Sequence, residues 1–285
     1  MNSQTEWGAS FANASTSAMN FYDEIMVPRW FQPWAQLLLD QLNPESGQTV
    51  LDVACGPGTV TRLVAQRVGP KGSVTGCDLS PAMLEIARSK KPLEGSAPIE
   101  YLECPADALG VPDGVVDLVT CQQGLQFFPD RVAALVEMRR VLRPGGKLGV
   151  AVWGSIEDCP PCLALANALG QVLGPDVADA YKGGPWGLAD PDSLIQLAID
   201  GGFTDVEVRR YELPIVFDGG PSQLMLTLRA ASVAATLAQL SEEDQTALAA
   251  ALDESSRRIT VNGIVSSHTV AHILTARVGG TQEPT

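Results

Sequence analysis

The residues best placed to do chemistry lie between 49 and 80. Thr49-Val50-Leu51-Asp52-Val53-Ala54-Cys55-Gly56-Pro57-Gly58 joins a short apolar run to a glycine turn, and Val74-Thr75-Gly76-Cys77-Asp78-Leu79-Ser80 is a second run ending on a carboxylate. Val50, Leu51 and Val53 predict a strand covered on both faces. Gly56 and Gly58 let the backbone turn sharply and approach a ligand with no Cβ in the way. Asp78 follows Gly58 by twenty residues, the distance at which a second parallel strand delivers an acid to ribose hydroxyls. This pattern is a nucleoside-binding strand–helix–strand unit. A dinucleotide site wants G-x-G-x-x-G, whose bare turn seats a pyrophosphate on a helix N-terminus. Here Val60-Thr61 stand where the third glycine would fall, and Asp52 at the strand end suits an ammonium group rather than a pyrophosphate. An NAD(P) oxidoreductase is disfavoured.

The elements that must position these residues follow in order. Ser80-Pro81 reads as an N-cap and first-turn proline opening a helix through Arg88. Residues 98–104 alternate as a third strand, followed by Cys104-Pro105-Ala106-Asp107-Ala108. Asp113 to Thr120 is a turn into a fourth strand, which ends at Cys121-Gln122-Gln123-Gly124-Leu125-Gln126 before Phe127. Ligands of open α/β sheets bind beyond the carboxyl ends of strands, so this glutamine loop faces the reacting group. A helix over 131–142 stops at Arg143-Pro144-Gly145-Gly146, after a basic last turn, and Lys147 to Trp153 is the fifth strand. Phe203 to Leu213 and residues 264–277 read as two more strands, and 160–175 and 220–257 as helical. The fold class expected is α/β, a doubly wound, seven-stranded, mostly parallel sheet.

Asp52-x-Ala54-x-Gly56-x-Gly58, the acid at 78 and Arg143-Pro144-Gly145-Gly146 before an apolar strand together resemble the class I S-adenosylmethionine (SAM) dependent methyltransferases. The resemblance covers roughly residues 45–155 and is closest to the small-molecule branch typified by quinone-biosynthesis and natural-product tailoring enzymes. Ala54 stands where that family's motif has its first glycine. The resemblance implies a Rossmann-like sheet with SAM as cofactor and S-adenosylhomocysteine as product. It implies cofactor contacts from Tyr22, Asp52, Ala54, Gly56, Gly58, Asp78, Leu79, Met83, Asp107, Ala108, Cys121 and Gln122. Asp107 would meet the adenine amino group, and Tyr22, on an N-terminal cap, the methionine end. Substrate contacts are expected from Gln126, Phe127, Trp153 and Trp186. The expected organisation is a helical cap over 1–44 and a SAM-binding domain over 45–285, with lid insertions at about 155–190 and 215–260. Residues 1–15 are expected to fray, and Pro28 and Pro33 to break 16–42 into short helices.

Composition sets outer bounds. With 45% hydrophobic and 18% charged residues a sizeable core is available. A net charge of −14 repels phosphate backbones and anionic lipid, so no nucleic-acid or membrane partner is expected. No apolar run approaches eighteen residues and no signal sequence is evident. Six scattered cysteines read as reduced thiols. A cytoplasmic monomer or homodimer is expected. Cys159-Pro160-Pro161-Cys162 has redox or metal spacing, but no further Cys or His set completes a site, so it reads as packing and no metal is expected. The only histidines, His268 and His272, share one strand face; they and Gln126 are the candidates for a catalytic base, which the motifs do not name.

The chemistry that follows is transfer of an activated methyl group to an oxygen or carbon of a small hydrophobic metabolite (polyketide, terpenoid or quinone-like), as in secondary metabolism. The alternative keeps SAM and the fold but catalyses a non-methylating step such as cyclisation; release of S-adenosylhomocysteine separates the two.

Overall fold

The computed structural model describes residues 16–279. Five parallel strands come first along the chain: β1 (Thr49–Val53), β2 (Ser73–Asp78), β3 (Ile99–Glu103), β4 (Val116–Gln122) and β5 (Leu142–Trp153). Next come β6 (Thr204–Phe217), the two-residue β7 (Thr260–Val261) and β8 (Ile264–Arg277). The sheet order is β3-β2-β1-β4-β5-β8-β6, with β8 antiparallel to both neighbours and β7 paired to β8 outside that path. This is the expected seven-strand sheet plus one short strand. The order reverses at β1/β4, which opens the crevice for a ligand there.

β1 is apolar throughout because both of its faces are covered. Val50 packs with Leu38, Leu39 and Val64, while Leu51 and Val53 pack with Met138 and Val141. The covering helices are α2 (Gln32–Leu42), α3 (Thr59–Val68), α4 (Pro81–Ser89) and α5 (Arg131–Val141). Ser80 caps α4 by accepting from the Met83 N–H, and Asp130 caps α5 by accepting from the Ala133 N–H. Gly149 on β5 lies so close to α2 that a Cβ there would sit 2.4 Å from Leu42.

Two expectations change. The N-terminal stretch is a continuous helical path rather than broken helices: α1 (Thr16–Phe21), a π-helical segment Tyr22–Phe31, then α2. Pro33 falls in the first turn of α2, where no backbone N–H is required, and Pro28 sits inside the wider π register. Ala35, Leu38, Leu39 and Leu42 of this stretch belong to the sheet's own core; the expected fraying of 1–15 lies outside the described residues. Finally, β6 continues four residues past Leu213, through Pro214. As an edge strand it tolerates a proline that has no N–H to donate.

The two insertions are helical. After β5 come α6 (Pro160–Leu173) and α7 (Pro175–Lys182), while α8 (Pro191–Asp200) returns to the sheet core. After β6 come α9 (Gly220–Leu226), α10 (Ala234–Leu237) and α11 (Glu242–Ser255). Their apolar faces, with Leu165, Leu224 and Leu252, enclose a second cluster around Trp30, Trp34, Trp153 and Phe217.

Candidate active site

A cavity of about 660 Å³ lies beyond the carboxyl ends of β1, β2 and β4. Its floor at one end is acidic. Asp52 is 1% exposed, and its carboxylate accepts from Thr61 Oγ1 at 2.6 Å and Thr120 Oγ1 at 2.8 Å. Burial pushes this carboxyl up to about 6, against the two hydroxyl donors that favour its charge. Asp78 accepts from the Gly56 N–H and the Ser80 N–H, both at 2.8 Å, so it fixes the glycine turn and the start of α4 together. Burial also raises its pKa above the usual carboxylate range. Asp107 and Asp130 line the same cavity, and among the described residues no Lys, Arg or His does. Beside Asp78, Leu79 stands 55% exposed, an apolar surface at a strand end facing open space.

The turn itself is left-handed at Ala54 (φ 56°) and Gly56 (φ 53°). A Cβ on Gly56 would meet nothing within 4 Å, so the backbone is bare toward the cavity. The π-helical segment crosses this turn. Lys90 Nζ holds it there, donating to Asp23 Oδ1 at 2.6 Å and to the Pro57 carbonyl at 2.9 Å. Gln122 Nε2 donates to the Phe31 carbonyl at 2.8 Å. The segment thereby delivers Tyr22, Met26, Trp30 and Phe31 to the cavity.

The far end is uncharged and aromatic. Trp153 meets Trp30 and Phe31 edge-on at 6.2 and 6.0 Å, and Tyr181 lies 5.5 Å from Trp186. Cys159, Cys162, Thr227 and Val270 complete the wall.

Of the residues singled out by sequence, Tyr22, Asp52, Ala54, Gly56, Asp78, Leu79, Met83, Asp107, Gln122, Phe127, Trp153 and Trp186 all line this one cavity. Six do not reach it or sit beneath it. Gly58 faces Tyr101, whose hydroxyl would lie 2.6 Å from a Cβ there, and Ala108 is exposed beyond the rim. Cys121 is wholly buried in the core, since strand alternation turns it away from the ligand side. Gln126 is buried too, donating from Nε2 to Gln123 Oε1 at 3.2 Å, because a 3-10 turn over Leu125–Phe127 rotates it inward. Neither histidine lines the cavity: His268 sits 4.0 Å from Glu212, and His272 is buried on β8, its pKa lowered by burial. The Asp113–Asp117 turn lies at the opposite strand end, where Asp117 accepts from the Thr49 N–H and pairs with Arg143.

Sequence reasoning missed Thr61, Thr120 and Lys90, whose partners are distant along the chain, and Gln123, Tyr181, Cys159 and Cys162. The two cysteines carried a legible spacing that reads as packing; only the insertion's fold puts both against the cavity.

A doubly wound sheet with an acid-floored crevice at its switch point, a bare glycine turn and an acid ending β2 defines a class I SAM-dependent methyltransferase. The ubiE/COQ5 methyltransferase family matches residues 10–164. A demethylmenaquinone methyltransferase of Geobacillus sp. is 31% identical over 192 residues, 62% of this chain and 80% of that protein. A ubiquinone/menaquinone biosynthesis C-methyltransferase of Shewanella oneidensis is 33% identical over 186 residues, 61% of this chain and 73% of that one. An uncharacterized 37.1 kDa protein of a Streptomyces fradiae transposon is 31% identical over 198 residues, 69% of this chain but 55% of its own length. Among solved structures, a Haemonchus contortus phosphoethanolamine N-methyltransferase 2 complex with S-adenosylhomocysteine superposes with TM-score 0.58 at 18% identity, covering 96% of this chain and 59% of that one. YcgJ of Bacillus subtilis gives 0.56 at 17%, covering 86% and 97%; at such identities these two speak to the fold. The chain belongs to the ubiE/COQ5 methyltransferase family, and SAM is its cofactor.

Proposed function

We propose that this enzyme methylates a small, neutral, hydrophobic acceptor held in the aromatic end of the cavity, with SAM in the acidic end. The observation that carries this is the division of one continuous cavity into an end with four carboxylates and no cation, and an end with no charged side chain among the described residues. The acidic end fits the group: buried carboxylates raised in pKa by desolvation gain from a cationic neighbour, and bare backbone at Gly56 admits a ligand at close range. When bound, SAM supplies a methyl already activated on sulfur.

The roles of the chain's residues follow. Asp78 would take the ribose hydroxyls with the lone pairs not engaged by Gly56 and Ser80. Leu79 and Met83 would flank the adenine, and Asp107 would accept from its amino group. Asp52, Ala54, Gly56, Tyr22 and Gln122 would hold the methionine portion. Trp153, Phe127 and Trp186 would confine the acceptor, and the π-helical segment with the two insertions would exclude water. Among the described residues no His or Lys lines the acceptor end, so the nucleophile's reactivity would come from the acceptor. The names of the relatives make a carbon of a quinone-like ring the first acceptor to try. An oxygen of a polyketide or terpenoid is the next, in secondary metabolism. The reading includes a cytoplasmic setting, where six free cysteines stay reduced.

Calorimetry with SAM and S-adenosylhomocysteine tests the cofactor end, with micromolar affinity expected (about −8 kcal/mol). Turnover with candidate acceptors tests the rest: gain of one methyl with stoichiometric S-adenosylhomocysteine supports transfer. A converted acceptor without S-adenosylhomocysteine would mean a non-methylating reaction such as cyclisation.

A further inference from the structure

Gln123 follows β4 directly and lines the cavity at 6% exposure. Its backbone is left-handed, φ 55°, a conformation uncommon for a residue with a Cβ and kept where the surrounding structure demands it. Two contacts make that demand. The Gln123 N–H donates to the Ala151 carbonyl at 2.8 Å, and the next residue, Gly124, lies so close to the glycine turn that a Cβ there would sit 2.6 Å from the Ala54 Cβ. Gln123 is thereby fixed at the edge of the cofactor end. Its carboxamide is held from one side. Oε1 accepts from Gln126 Nε2 at 3.2 Å, and Gln126, wholly buried, is itself pinned by Arg131 Nη2, which donates to its carbonyl at 2.9 Å. Gln123 Nε2 is shielded from water and has no hydrogen-bond partner among the described residues. Among those that line the cavity it shares this condition with Trp30 Nε1, and both atoms are donors. A donor that neither water nor protein satisfies gains a whole hydrogen bond when a ligand oxygen reaches it.

We propose that Gln123 selects and orients the acceptor, its Nε2 donating to an oxygen on the acceptor's ring system. Gln126 is a positioning residue: by engaging Oε1 it keeps the amide N–H groups of Gln123 turned toward that oxygen. The acceptor class narrows to rings that bear a carbonyl or phenolic oxygen, against plain hydrocarbon rings of the same size. Gln126 thus serves the acceptor through Gln123 rather than by touching it. This rests on the reading of the cavity's two ends given above.

The test is equilibrium dialysis of the full chain, saturated with S-adenosylhomocysteine, against 1-tetralone and against tetralin, which share a carbon frame and differ by one carbonyl. A carbonyl sheds water on entering the cavity, so the informative number is the change between proteins in the ratio of the tetralin to the tetralone dissociation constant. Gln123→Met, close in size but without a donor, should lower that ratio by roughly three- to tenfold, the scale of one hydrogen bond. The loss should fall on tetralone, with S-adenosylhomocysteine bound as before. Gln123→Asn tolerates the left-handed backbone and withdraws the amide by one methylene; it should lower the ratio too. Gln126→Met should lower it by roughly twofold, since Gln123 keeps its donors but loses their direction. An unchanged ratio in both Gln123 variants, or an equal loss of both probes, overturns the proposal. So does a ratio kept in Gln123→Met but lost in Trp30→Phe, which would hand selection to the indole. Weaker S-adenosylhomocysteine binding in Gln123→Met would assign the amide to the cofactor and overturn it as well. Failure of the wild type to bind S-adenosylhomocysteine at all would overturn the cofactor reading first and this inference with it.

Discussion

At the residue scale the two buried acids carry different burdens. Asp52 has an ordinary value of 3.8 and sits at about 6 when folded. A carboxyl raised in the folded state keeps a proton that the unfolded chain releases, so its burial costs nothing below about pH 4. The cost grows as pH rises through 6, reaching about 3 kcal/mol near neutrality. A cationic ligand favours the ionised form. SAM affinity should therefore fall as pH drops below about 6, by up to tenfold per pH unit, while acceptor binding should not follow it; a flat SAM profile between pH 7.5 and 5 would remove Asp52 from the cofactor end. Asp78→Ala should weaken SAM binding by about 1.5–3 kcal/mol, the scale of charge-assisted hydrogen bonds. Because that carboxylate also accepts from Gly56 and Ser80, the variant should lose some thermal stability too; calorimetry and a melting curve read the two effects separately. Ala54 adopts a left-handed φ of 56°, a conformation costly for any residue with a Cβ. Ala54→Gly should be neutral to about 1 kcal/mol stabilising by denaturant titration, the strain relieved being partly offset by unfolded-state entropy.

At the scale of elements, the π-helical segment and the insertions decide how ligands come and go. Tyr22 and Phe31, rings 5.1 Å apart, ride on a segment fastened to the glycine turn through Lys90. Both partners of the Lys90–Asp23 pair are about 20% exposed, so the pair is more than a solvated surface contact. Lys90→Met should speed S-adenosylhomocysteine release by roughly threefold to fivefold, equivalent to about 1 kcal/mol, and should blunt its dependence on salt. Stopped-flow displacement measures both. An unaltered off-rate would mean the segment opens by a route that leaves this contact intact.

At the scale of the molecule, the sheet carries an apolar cluster on each face and the inserted helices close a third around Trp30, Trp34 and Trp153, and the cavity draws its lining from all three, with Val53, Val60 and Trp153. No helix among the described residues is long and apolar enough to cross a membrane. Closing both walls on a ligand should stabilise the whole chain. At a hundred times its dissociation constant, S-adenosylhomocysteine should add about 2.7 kcal/mol, a rise in melting temperature of about 5 °C. A rise confined to part of the melting curve would show the insertions unfolding independently of the sheet.

The sequence by itself determined the glycine turn and the acids around it. Asp52, Gly56 and Asp78 sit within one strand–turn–helix–strand stretch and Met83 on the helix that follows it, so short-range geometry fixes their mutual placement, and β1 announces its double burial through its apolar run. Tertiary structure decided how the aromatic end of the cavity is assembled. Trp30, Trp153, Tyr181 and Thr227 come from four separated parts of the chain, and no local period encodes which faces of inserted helices will meet. The same reason explains which expected residues do not line the cavity. Gln126 and Cys121 sit one turn or one residue from positions that do face the cavity, and the histidines share a strand with Val270, which lines it. Proximity in sequence brought them near the site; the 3-10 turn and the strand's alternation pointed them away from it.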